Sequence, residues 1–333
     1  MRRIIFQSIL LLFAALILPI FFMKPSVSEP TPAPILTPAP TPETSASFDA
    51  ELTFTALRGD QVVICTLYDY LPGTLAGEMP AVFESEALMA QAVAARTYIL
   101  YCTGAPNPKH PEAAVCDDPA CCKYYIAEDE LSARWGDNFE TYREKITSAV
   151  RDTDGQCLLY GGQPIQAVFH SSSFGHTESS GNLWNPLPYL VSVSSPETAG
   201  DVPNYITTVS IAAEDFRRTI LADYPEAVLD GAPASWLGAV GTHESGRVAY
   251  VTIGGVLVSG AQLRRIFELR SSAFDLGFDP GGFFQFTVRG YGHGVGLSQY
   301  GANTMAKSGA VYEDILAHYY PGTVLSQLTP ISA

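Results

Sequence analysis

The feature that most constrains this chain is an almost unbroken apolar run, Ile4–Met23, interrupted only by Gln7 and Ser8. About 20 such residues form a helix that is long enough to span a bilayer. Arg2 and Arg3 precede the run, and positive charge tends to remain on the cytoplasmic side of a membrane helix. The sequence therefore predicts a single-pass anchor in the cell membrane, with the rest of the chain extracytoplasmic.

A cleaved signal peptide is the alternative interpretation of this run. Cleavable signals usually have a shorter apolar stretch that ends in a small-residue cleavage site. Residues 18–23, LPIFFM, contain no small-x-small triplet, so we assign residues 1–24 to a cytoplasmic tip and transmembrane anchor. Residues 25–49 are rich in Pro, Thr and Ser, which predicts an extended linker without a packed core.

The charge of the chain argues against a nucleic-acid partner. The formal net charge of the 333 residues is -15, and no basic run occurs beyond the first three residues. Nucleic-acid binding depends on neutralising phosphates with Lys and Arg. A neutral substrate such as a sugar suits an acidic exported domain better than a polyanion.

Residues 50–333 contain no internal repeat and no second low-complexity linker, which predicts a single irregular α+β domain. The clearest helix is predicted over residues 84–101, with Ser85 as its N-cap. Its buried stripe has helical spacing and consists of Leu88, Ala92, Ala95 and Ile99. Two short helices are predicted near residues 301–308 and 312–320. Apolar, β-branched stretches predict strands at Val62–Leu67, Pro164–His170, Arg247–Ile253, Val256–Ser259 and Phe283–Arg289.

Glu78 is a candidate general acid. It lies between Gly77 and Met79-Pro80, just ahead of the predicted main helix, and apolar neighbours suit a carboxyl group that donates a proton. Surface and capping glutamates occur in similar places, so this residue alone is a weak indication of catalysis.

Two loop motifs carry side chains that suit hydrogen bonding to sugar hydroxyls and amides. The first, FHSSSFGHTE at residues 169–178, supplies His170, Ser171 and Ser173 as candidate substrate contacts. A structural loop capped by serines explains it equally well. A Ser-His hydrolase is a further alternative, although no Gly-x-Ser-x-Gly elbow is present.

The second motif is RGYGHGVGLSQYG at residues 289–301. Its alternate glycines allow the backbone to approach a ligand or a neighbouring strand closely. It lacks the Gly-Lys-Ser/Thr ending of a phosphate-binding loop. His293, Ser298 and Gln299 are its candidate substrate contacts, and a tight turn leading into a helix is the structural alternative.

Cysteine and histidine cluster at His110, Cys116, Cys121 and Cys122. Thiolates and imidazole are ligands that zinc prefers in closed structural sites with four protein ligands. Disulfides are the alternative, because the domain lies outside the cytoplasm. We favour one structural zinc ion, since a bond between the adjacent cysteines would require strained geometry.

Three stretches of this sequence together resemble the stage II sporulation protein D family, whose relatives include the amidase-enhancer proteins. They occur in the family's order and read LYDYLPGTLAGEMPAVFESEALMAQAVAARTYIL, FHSSSFGHTESSGNLWNPLPYLVSVSSPE and RGYGHGVGLSQYGANTMAKSGAVYEDILAHYYPGT. Sporulation members that this chain resembles carry a zinc site of two histidines and two cysteines at the Cys/His cluster. A cysteine would replace one of those histidines here.

The resemblance implies a lytic transglycosylase, which cleaves the β-1,4 bond between N-acetylmuramic acid and N-acetylglucosamine in peptidoglycan strands stripped of their stem peptides. Glu78 matches the glutamate of the family's Glu-Met-Pro motif and would serve first as acid and then as base, without a catalytic cofactor. Arg96 completes the expected substrate-binding set. The implied partners are glycan strands, a cell-wall amidase and membrane proteins of an engulfment complex in sporulation. A non-enzymatic, glycan-binding activator of an amidase is the alternative function.

Overall fold

The computed structural model describes residues 47–105, 107–118, 121–122 and 124–329. The predicted transmembrane helix lies outside these ranges, as does most of the predicted linker. Within them, no helix is long and apolar enough to cross a membrane. The anchor therefore stays a prediction.

The described residues form one compact unit that contains both element types, which confirms the predicted single α+β domain. The helices are α1 (Phe48–Glu51), α2 (Leu67–Glu78), α3 (Ser85–Gly104), α4 (Glu128–Trp135), α5 (Phe139–Asp152), α6 (Ala213–Asp223), α7 (Gly260–Ile266), α8 (Gln299–Lys307) and α9 (Tyr312–Tyr319). The strands are β1 (Thr53–Arg58), β2 (Gln61–Thr66), β3 (Val115–Cys116), β4 (Gln156–Tyr160), β5 (Gln163–Pro164), β6 (Phe169–His170), β7 (Ile206–Ala212), β8 (Leu237–Thr242), β9 (Val248–Ile253), β10 (Val256–Ser259), β11 (Phe274–Asp279), β12 (Phe283–Arg289), β13 (Leu297–Ser298) and β14 (Val324–Gln327).

The strands of the described residues group into small sheets rather than one continuous sheet. Their orders are β2-β1-β3, β10-β9-β8, β11-β12-β7, β13-β6 and β14-β4-β5. Neighbours are antiparallel except in the pairs β1–β3 and β13–β6. The parallel pair β13–β6 joins the two polar loop motifs, because Ser298 pairs with His170.

Helix α3 forms the centre of the first hydrophobic core and packs against α2, α5, α8, α9 and β4. The predicted stripe on this helix is buried, and so are its other faces, because neighbouring elements surround it. Its small alanines permit that close approach. The prediction of Ser85 as N-cap is wrong: Glu84 is the N-cap, and Ser85 is the first helical residue.

A second hydrophobic core lies between the sheets of β7 to β12 and helices α6 and α7. It is built largely from aromatic rings. Phe216 of α6 stacks on Phe284 of β12 with ring centroids 3.9 Å apart, and Trp236 stacks on the same Phe284 at 5.7 Å. Stacked rings of this kind supply a large buried apolar area.

Several predicted elements are confirmed, and two further local predictions are wrong. Strands β2, β9, β10 and β12 lie where the sequence predicts them, to within one residue at each end. The stretch Pro164–His170 is not one strand, because only its two ends form strands, β5 and β6. Leu67 does not end a strand but begins α2, where the Thr66 hydroxyl accepts a hydrogen bond from the Asp69 amide at 3.1 Å and caps the helix.

The folded domain includes residues that the sequence assigned to the linker. Helix α1 is fastened by Asp154, which accepts hydrogen bonds from the Ser47 hydroxyl at 2.8 Å and from the amides of Phe48 and Asp49 at 3.0 Å each. The predicted linker boundary at residue 49 is therefore too far along the chain.

A buried ion pair joins α1 to α3. The Arg96 guanidinium donates to both carboxylate oxygens of Asp49, at 2.7 and 2.6 Å, and the two side chains are 0% and 2% exposed. Arg96 also donates to the carbonyl oxygens of Val150 and Gln156 at 3.2 Å each. The prediction that Arg96 contacts substrate is thus corrected, because every part of this side chain lies inside the core.

We expect Asp49→Asn to destabilise the domain by about 3–5 kcal/mol, because it leaves the Arg96 charge buried without a counter-charge. Urea unfolding of the purified protein measures this change. Glu130→Gln is the matched control, since it breaks the exposed pair between Arg134 and Glu130 and should cost no more than about 0.5 kcal/mol. Equal effects of the two substitutions would contradict the structural role of Arg96.

Candidate functional site

Glu78, the last residue of α2, lies on a cleft of about 760 Å³. The walls come from the segment around Tyr124, from the two polar loop motifs and from α7. Among the described residues that line the cleft, Glu78 is the only Asp or Glu and Arg264 is the only Lys or Arg. The cleft therefore presents a single carboxyl group to whatever it binds.

The backbone holds the Glu78 side chain from one side. The amide of Tyr124 donates a hydrogen bond to Oε1 of Glu78 at 2.9 Å. Since Oε1 accepts this bond, the second oxygen is the one that suits carrying a proton. The side chain is half-buried, so it combines a fixed position with access to the cleft.

A second cavity, of about 420 Å³, adjoins the first at Glu78. The two cavities share Gly77, Glu78, Ser171 and Gln299 in their linings. Glu78 therefore lies where the two cavities meet, and the two cavities are called the arms of the groove below.

Aromatic rings line both arms of this groove. In the first arm, Trp184 and Tyr291 are 39% and 47% exposed. In the second arm, the half-buried rings of Trp135, Tyr142 and Tyr300 face the cavity. Partly exposed aromatic rings beside polar groups suit a ligand with apolar faces and polar edges.

His170 has a defined tautomer. Its Nδ1 faces the Val295 carbonyl oxygen at 3.2 Å, which can only accept, so Nδ1 carries the proton. The Nε2 atom then accepts from the Ser173 hydroxyl at 2.7 Å. Burial, followed by the neighbouring charges of His293 and Arg247, lowers the pKa of His170 well below its ordinary value. The imidazole is therefore neutral.

The arrangement of Ser173 and His170 does not form a hydrolase nucleophile. Ser173 is 0% exposed, so a substrate carbonyl cannot reach its hydroxyl. Its backbone amide is fixed as well, donating to Oε1 of Glu197 at 2.6 Å. This geometry argues against the Ser-His peptidase alternative.

Two buried carboxylates organise the polar loops behind the cleft wall. Glu197 accepts hydrogen bonds from the Ser195 and Ser298 hydroxyls as well as from the Ser173 amide. Glu178 accepts from the Ser245 hydroxyl at 2.7 Å, and its other oxygen accepts from Ser179 and Asn182.

The glycine-rich motif crosses from the second core to the first and lies against the first polar loop. Gly296 has a φ of +72°, and a Cβ atom there would come within 2.0 Å of the Val168 carbonyl oxygen. At Gly292, a Cβ atom would come within 2.8 Å of the Cβ of His170. The glycines therefore serve the approach of two backbone segments.

The structure brings four of the predicted substrate-contact residues to the cleft and keeps three away from it. His170, Ser171, His293 and Gln299 line the cleft. The buried amide nitrogen of Gln299 has no hydrogen-bond partner among the described residues. The predictions for Ser173 and Ser298 are corrected along with that for Arg96, because both serines are 0% exposed.

The sequence interpretation missed cleft residues in two different ways. Trp184 and Tyr291 lie inside the quoted motifs, so an exposed aromatic residue beside glycines and prolines was an available signal. Tyr124 and Arg264 belong to no motif and reach the cleft through the tertiary fold.

The predicted metal-ligand residues form one cluster beside the cleft. The ligand atoms of His110, Cys116, Cys121 and Cys122 all lie within 4.8 Å of one another, and no disulfide joins any of the six cysteines, all of which the structure describes. The Nδ1 atom of His110 donates to the Ala113 carbonyl oxygen at 2.9 Å, and its Nε2 faces the Cys122 sulfur at 3.2 Å. Cys121 and Cys122 also line the cleft that contains Glu78.

Comparison with known proteins identifies the family. A sequence-family model described as stage II sporulation protein matches residues 58–160, which include Glu78 and the Cys/His cluster. Stage II sporulation protein D of Bacillus subtilis (strain 168) is 39% identical over 264 residues, which cover 78% of this chain and 74% of that protein. The chain belongs to the stage II sporulation protein D family. Family membership confirms the resemblance that the three sequence motifs indicated.

Two further relatives extend the comparison. Stage II sporulation protein D of Bacillus amyloliquefaciens is 36% identical, over 78% of this chain and 74% of that protein. The amidase enhancer of Bacillus subtilis is 27% identical over 314 residues, or 77% of this chain and 40% of that protein. One relative of the chain is therefore named for an effect on an amidase.

Proposed function

We propose that this protein is a lytic transglycosylase, which cleaves the bond between N-acetylmuramic acid and N-acetylglucosamine in peptide-stripped peptidoglycan strands. The observation that carries the proposal is the position of Glu78, the only carboxyl group among the described lining residues of a groove with two arms. An enzyme that cuts inside a chain of sugars needs room for a sugar on each side of the acid.

The single carboxyl group supports a transglycosylase over a hydrolase. A typical glycoside hydrolase uses two carboxylates, because one protonates the leaving group and the other activates water or attacks the sugar. Here Glu78 would donate its proton to the glycosidic oxygen as the bond from that oxygen to C1 of muramic acid breaks. The 6-hydroxyl of the same muramic acid would then bond to C1 and return its proton to Glu78.

The polar groups of the cleft suit the amide and hydroxyl groups of the sugars. Ser171 lies on the cleft wall, and the amide nitrogen of Gln299 beside it has no hydrogen-bond partner among the described residues. Both ring nitrogens of His170 are already bonded within the protein, so its imidazole shapes this wall. Trp184 and Tyr291 offer rings against which a sugar face can pack. Neutral donors and aromatic rings are the usual means of recognising an uncharged ligand.

A non-enzymatic activator of an amidase is the second candidate. The similarity to an amidase enhancer favours it, and the same groove could bind glycan without cutting it. The two candidate functions differ in the role of Glu78, so a substitution that removes its carboxyl group distinguishes between them.

We expect Glu78→Gln to lower glycan cleavage by at least ~10²-fold, the low end for loss of a general acid–base. The amide keeps the shape of the side chain and removes its proton. The rate is measured as sugar fragments released from purified peptide-free glycan. Glu84→Gln is the matched control, since Glu84 is exposed at the start of α3 and should retain full activity. Undiminished cleavage by folded Glu78→Gln, or none by the unsubstituted protein, would reject the enzyme proposal.

We expect the released fragments to end in 1,6-anhydro-muramic acid, because the 6-hydroxyl of the sugar replaces water in the reaction. Mass spectrometry distinguishes this product from a hydrolysis product, which is heavier by one water and carries a reducing end. Reducing ends would indicate a hydrolase that uses a second carboxylate.

We further propose that the Cys/His cluster binds one structural zinc ion. The donor set fits, because three thiolates and one imidazole make a closed tetrahedral site. Donation from Nδ1 of His110 to the Ala113 carbonyl leaves the Nε2 lone pair facing the sulfur cluster, as a zinc-bound histidine requires. Four protein ligands leave no open position for substrate, so the role of this ion would be structural.

The cluster also has a consequence for the catalytic group. Cys122 lies two positions before Tyr124, whose amide holds Oε1 of Glu78. A metal at the cluster would fix this segment and so fix the Glu78 side chain. The energy of binding the metal would contribute to the stability of the folded domain.

We expect protein purified without added zinc to contain about one equivalent of the metal. Cys116→Ser should lose it and lower the melting temperature, because a thiolate ligand is removed. Metal analysis and thermal unfolding measure the two effects. Cys157→Ser serves as the control, since Cys157 is equally buried but lies outside the cluster. Metal-free protein with Cys116 in a disulfide would establish the disulfide alternative instead.

The location and partners of the protein are part of the same proposal. The apolar run Ile4–Met23 would anchor the chain in the cell membrane, with residues 25–46 as the spacer and the domain outside the cytoplasm. Sporulation proteins among its relatives favour a role in remodelling the septal wall during engulfment. A cell-wall amidase would supply the peptide-stripped strands, and membrane proteins of the engulfment complex would be neighbours.

A further inference from the structure

Unlike most of the arginines that the structure describes, Arg264 forms no ion pair with a described carboxylate. Ion pairs within 4.0 Å of an Asp or Glu oxygen are made by Arg96, Arg134, Arg143, Arg151, Arg217, Arg218, Arg265 and Arg289. Arg264 makes no such pair with a described residue, although the chain has a formal net charge of -15. A cation left unpaired among so many acidic groups is available to an external anion.

The position of Arg264 is fixed by the fold. It belongs to α7, which packs on the second core, and its Nε donates to the Arg270 carbonyl oxygen at 3.3 Å. That bond leaves the two terminal nitrogens of the guanidinium for other partners. The side chain is half-buried on the cleft wall, and burial lowers the pKa of the guanidinium. Partial desolvation strengthens any charge pair formed there.

Two further arginines lie near this wall of the cleft. Arg247 and Arg270 lie behind the glycine-rich motif, and neither has a described carboxylate oxygen within 4.0 Å. The Arg247 guanidinium is packed against Gly294, and Arg270 lies over the Tyr291 ring with its Cζ 4.5 Å from the centroid. The buried carboxylates Glu178 and Glu197 act on Arg247 and offset its charge. Arg264 is therefore the cation that an anion in the cleft would meet.

The glycan that this cleft is proposed to cut carries one group whose charge depends on its processing. Each muramic acid has a lactyl carboxyl group. While the stem peptide is attached, that group is a neutral amide, and removal of the peptide exposes a carboxylate. A guanidinium binds a carboxylate with two parallel hydrogen bonds, which an amide cannot accept in the same way.

We propose that Arg264 binds the lactyl carboxylate exposed on muramic acid by loss of the stem peptide, and that this contact selects peptide-stripped strands. The inference rests on the proposed function, because it concerns the substrate of the same groove. Arg264, on the cleft wall formed by the second core, would select the strand, and Glu78, on the wall formed by the first core, would cleave the bond.

The neighbouring Arg265 provides an internal comparison. It belongs to the same helix, but its side chain is 65% exposed and paired with Asp223. It does not line the cleft. Substituting Arg265 therefore removes the same charge from the same helix without touching the proposed contact.

The test measures binding, so that it does not depend on cleavage. Full-length protein in detergent, carrying Glu78→Gln to prevent turnover, is titrated with two polymers. One is peptide-free glycan with free lactyl carboxylates, and the other is the same glycan with those groups converted to methylamides. We expect the free-carboxylate polymer to bind about tenfold more tightly, the lower range for a hydrogen bond to a charged group.

Variants of Arg264 and Arg265 then test whether Arg264 is the source of the preference for the free-carboxylate polymer. Arg264→Gln should weaken binding of the free-carboxylate polymer to the level of the methylamide, and leave the methylamide unchanged. Arg265→Gln should keep the full preference. Arg264→Lys should keep part of it, because the charge remains while the paired geometry is lost, and it carries the test if Arg264→Gln does not fold.

Equal binding of the two polymers before substitution would overturn the inference, as would equal weakening of both polymers by Arg264→Gln. Selective binding by a protein that never cleaves glycan would uphold the Arg264 contact and reject only the enzyme proposal. Cleavage of glycan by a protein that binds both polymers equally would uphold the enzyme proposal and reject the Arg264 contact.

Discussion

The buried contact between Asp49 and Arg96 is the constraint on which the arrangement of the first core depends. The Arg96 guanidinium donates hydrogen bonds to Asp49 of α1, to Val150 near the end of α5 and to Gln156 at the start of β4. Such a pair gains little stability over an apolar pair of the same size, but breaking it is costly, so only one arrangement of these elements satisfies it. Helix α3 is thereby fixed, and α2, which packs on it and ends at Glu78, is fixed with it.

The elements that could be predicted are those whose own residues carry the pattern of a helix or strand. Helix α3 and strands β9, β10 and β12 follow from periodicity, because each carries its own apolar pattern. Helix α2 could not be predicted, since Pro72 and two glycines disfavour a helix on propensity alone. Tertiary packing overrides that propensity: a Cβ atom at Gly77 would come within 2.8 Å of the Tyr124 carbonyl oxygen. The residue that weakens the helix in isolation is the one that lets Tyr124 approach Glu78.

The candidate site was predictable to a similar degree and for the same reason. His170 and His293 lie in motifs whose composition already indicated polar chemistry, whereas Glu78 was only weakly indicated by its neighbours and was assigned through the family resemblance. Composition could not separate Ser171, which lines the cleft, from Ser173, which is buried under it, because that difference depends on Glu197, 24 positions away from Ser173. Arg264 had no sequence signal, since its significance comes from a missing partner and a cleft wall that only the folded chain creates.

The cleft lies where two hydrophobic cores meet, and buried polar bonds hold the two sides together. Glu178, in the first polar loop, accepts from Ser245, which lies in the β8–β9 connection of the second core. Glu197 joins the first polar loop to the glycine-rich motif through Ser173 and Ser298. Hydrophobic contacts tolerate small sliding, whereas a buried carboxylate that loses a donor is penalised in free energy. These two carboxylates therefore hold together the segments that form the two sides of the cleft. A groove whose walls belong to separate cores keeps its width only if such bonds fix the walls relative to each other, and a site that is fixed before its ligand arrives binds that ligand at a lower cost in free energy.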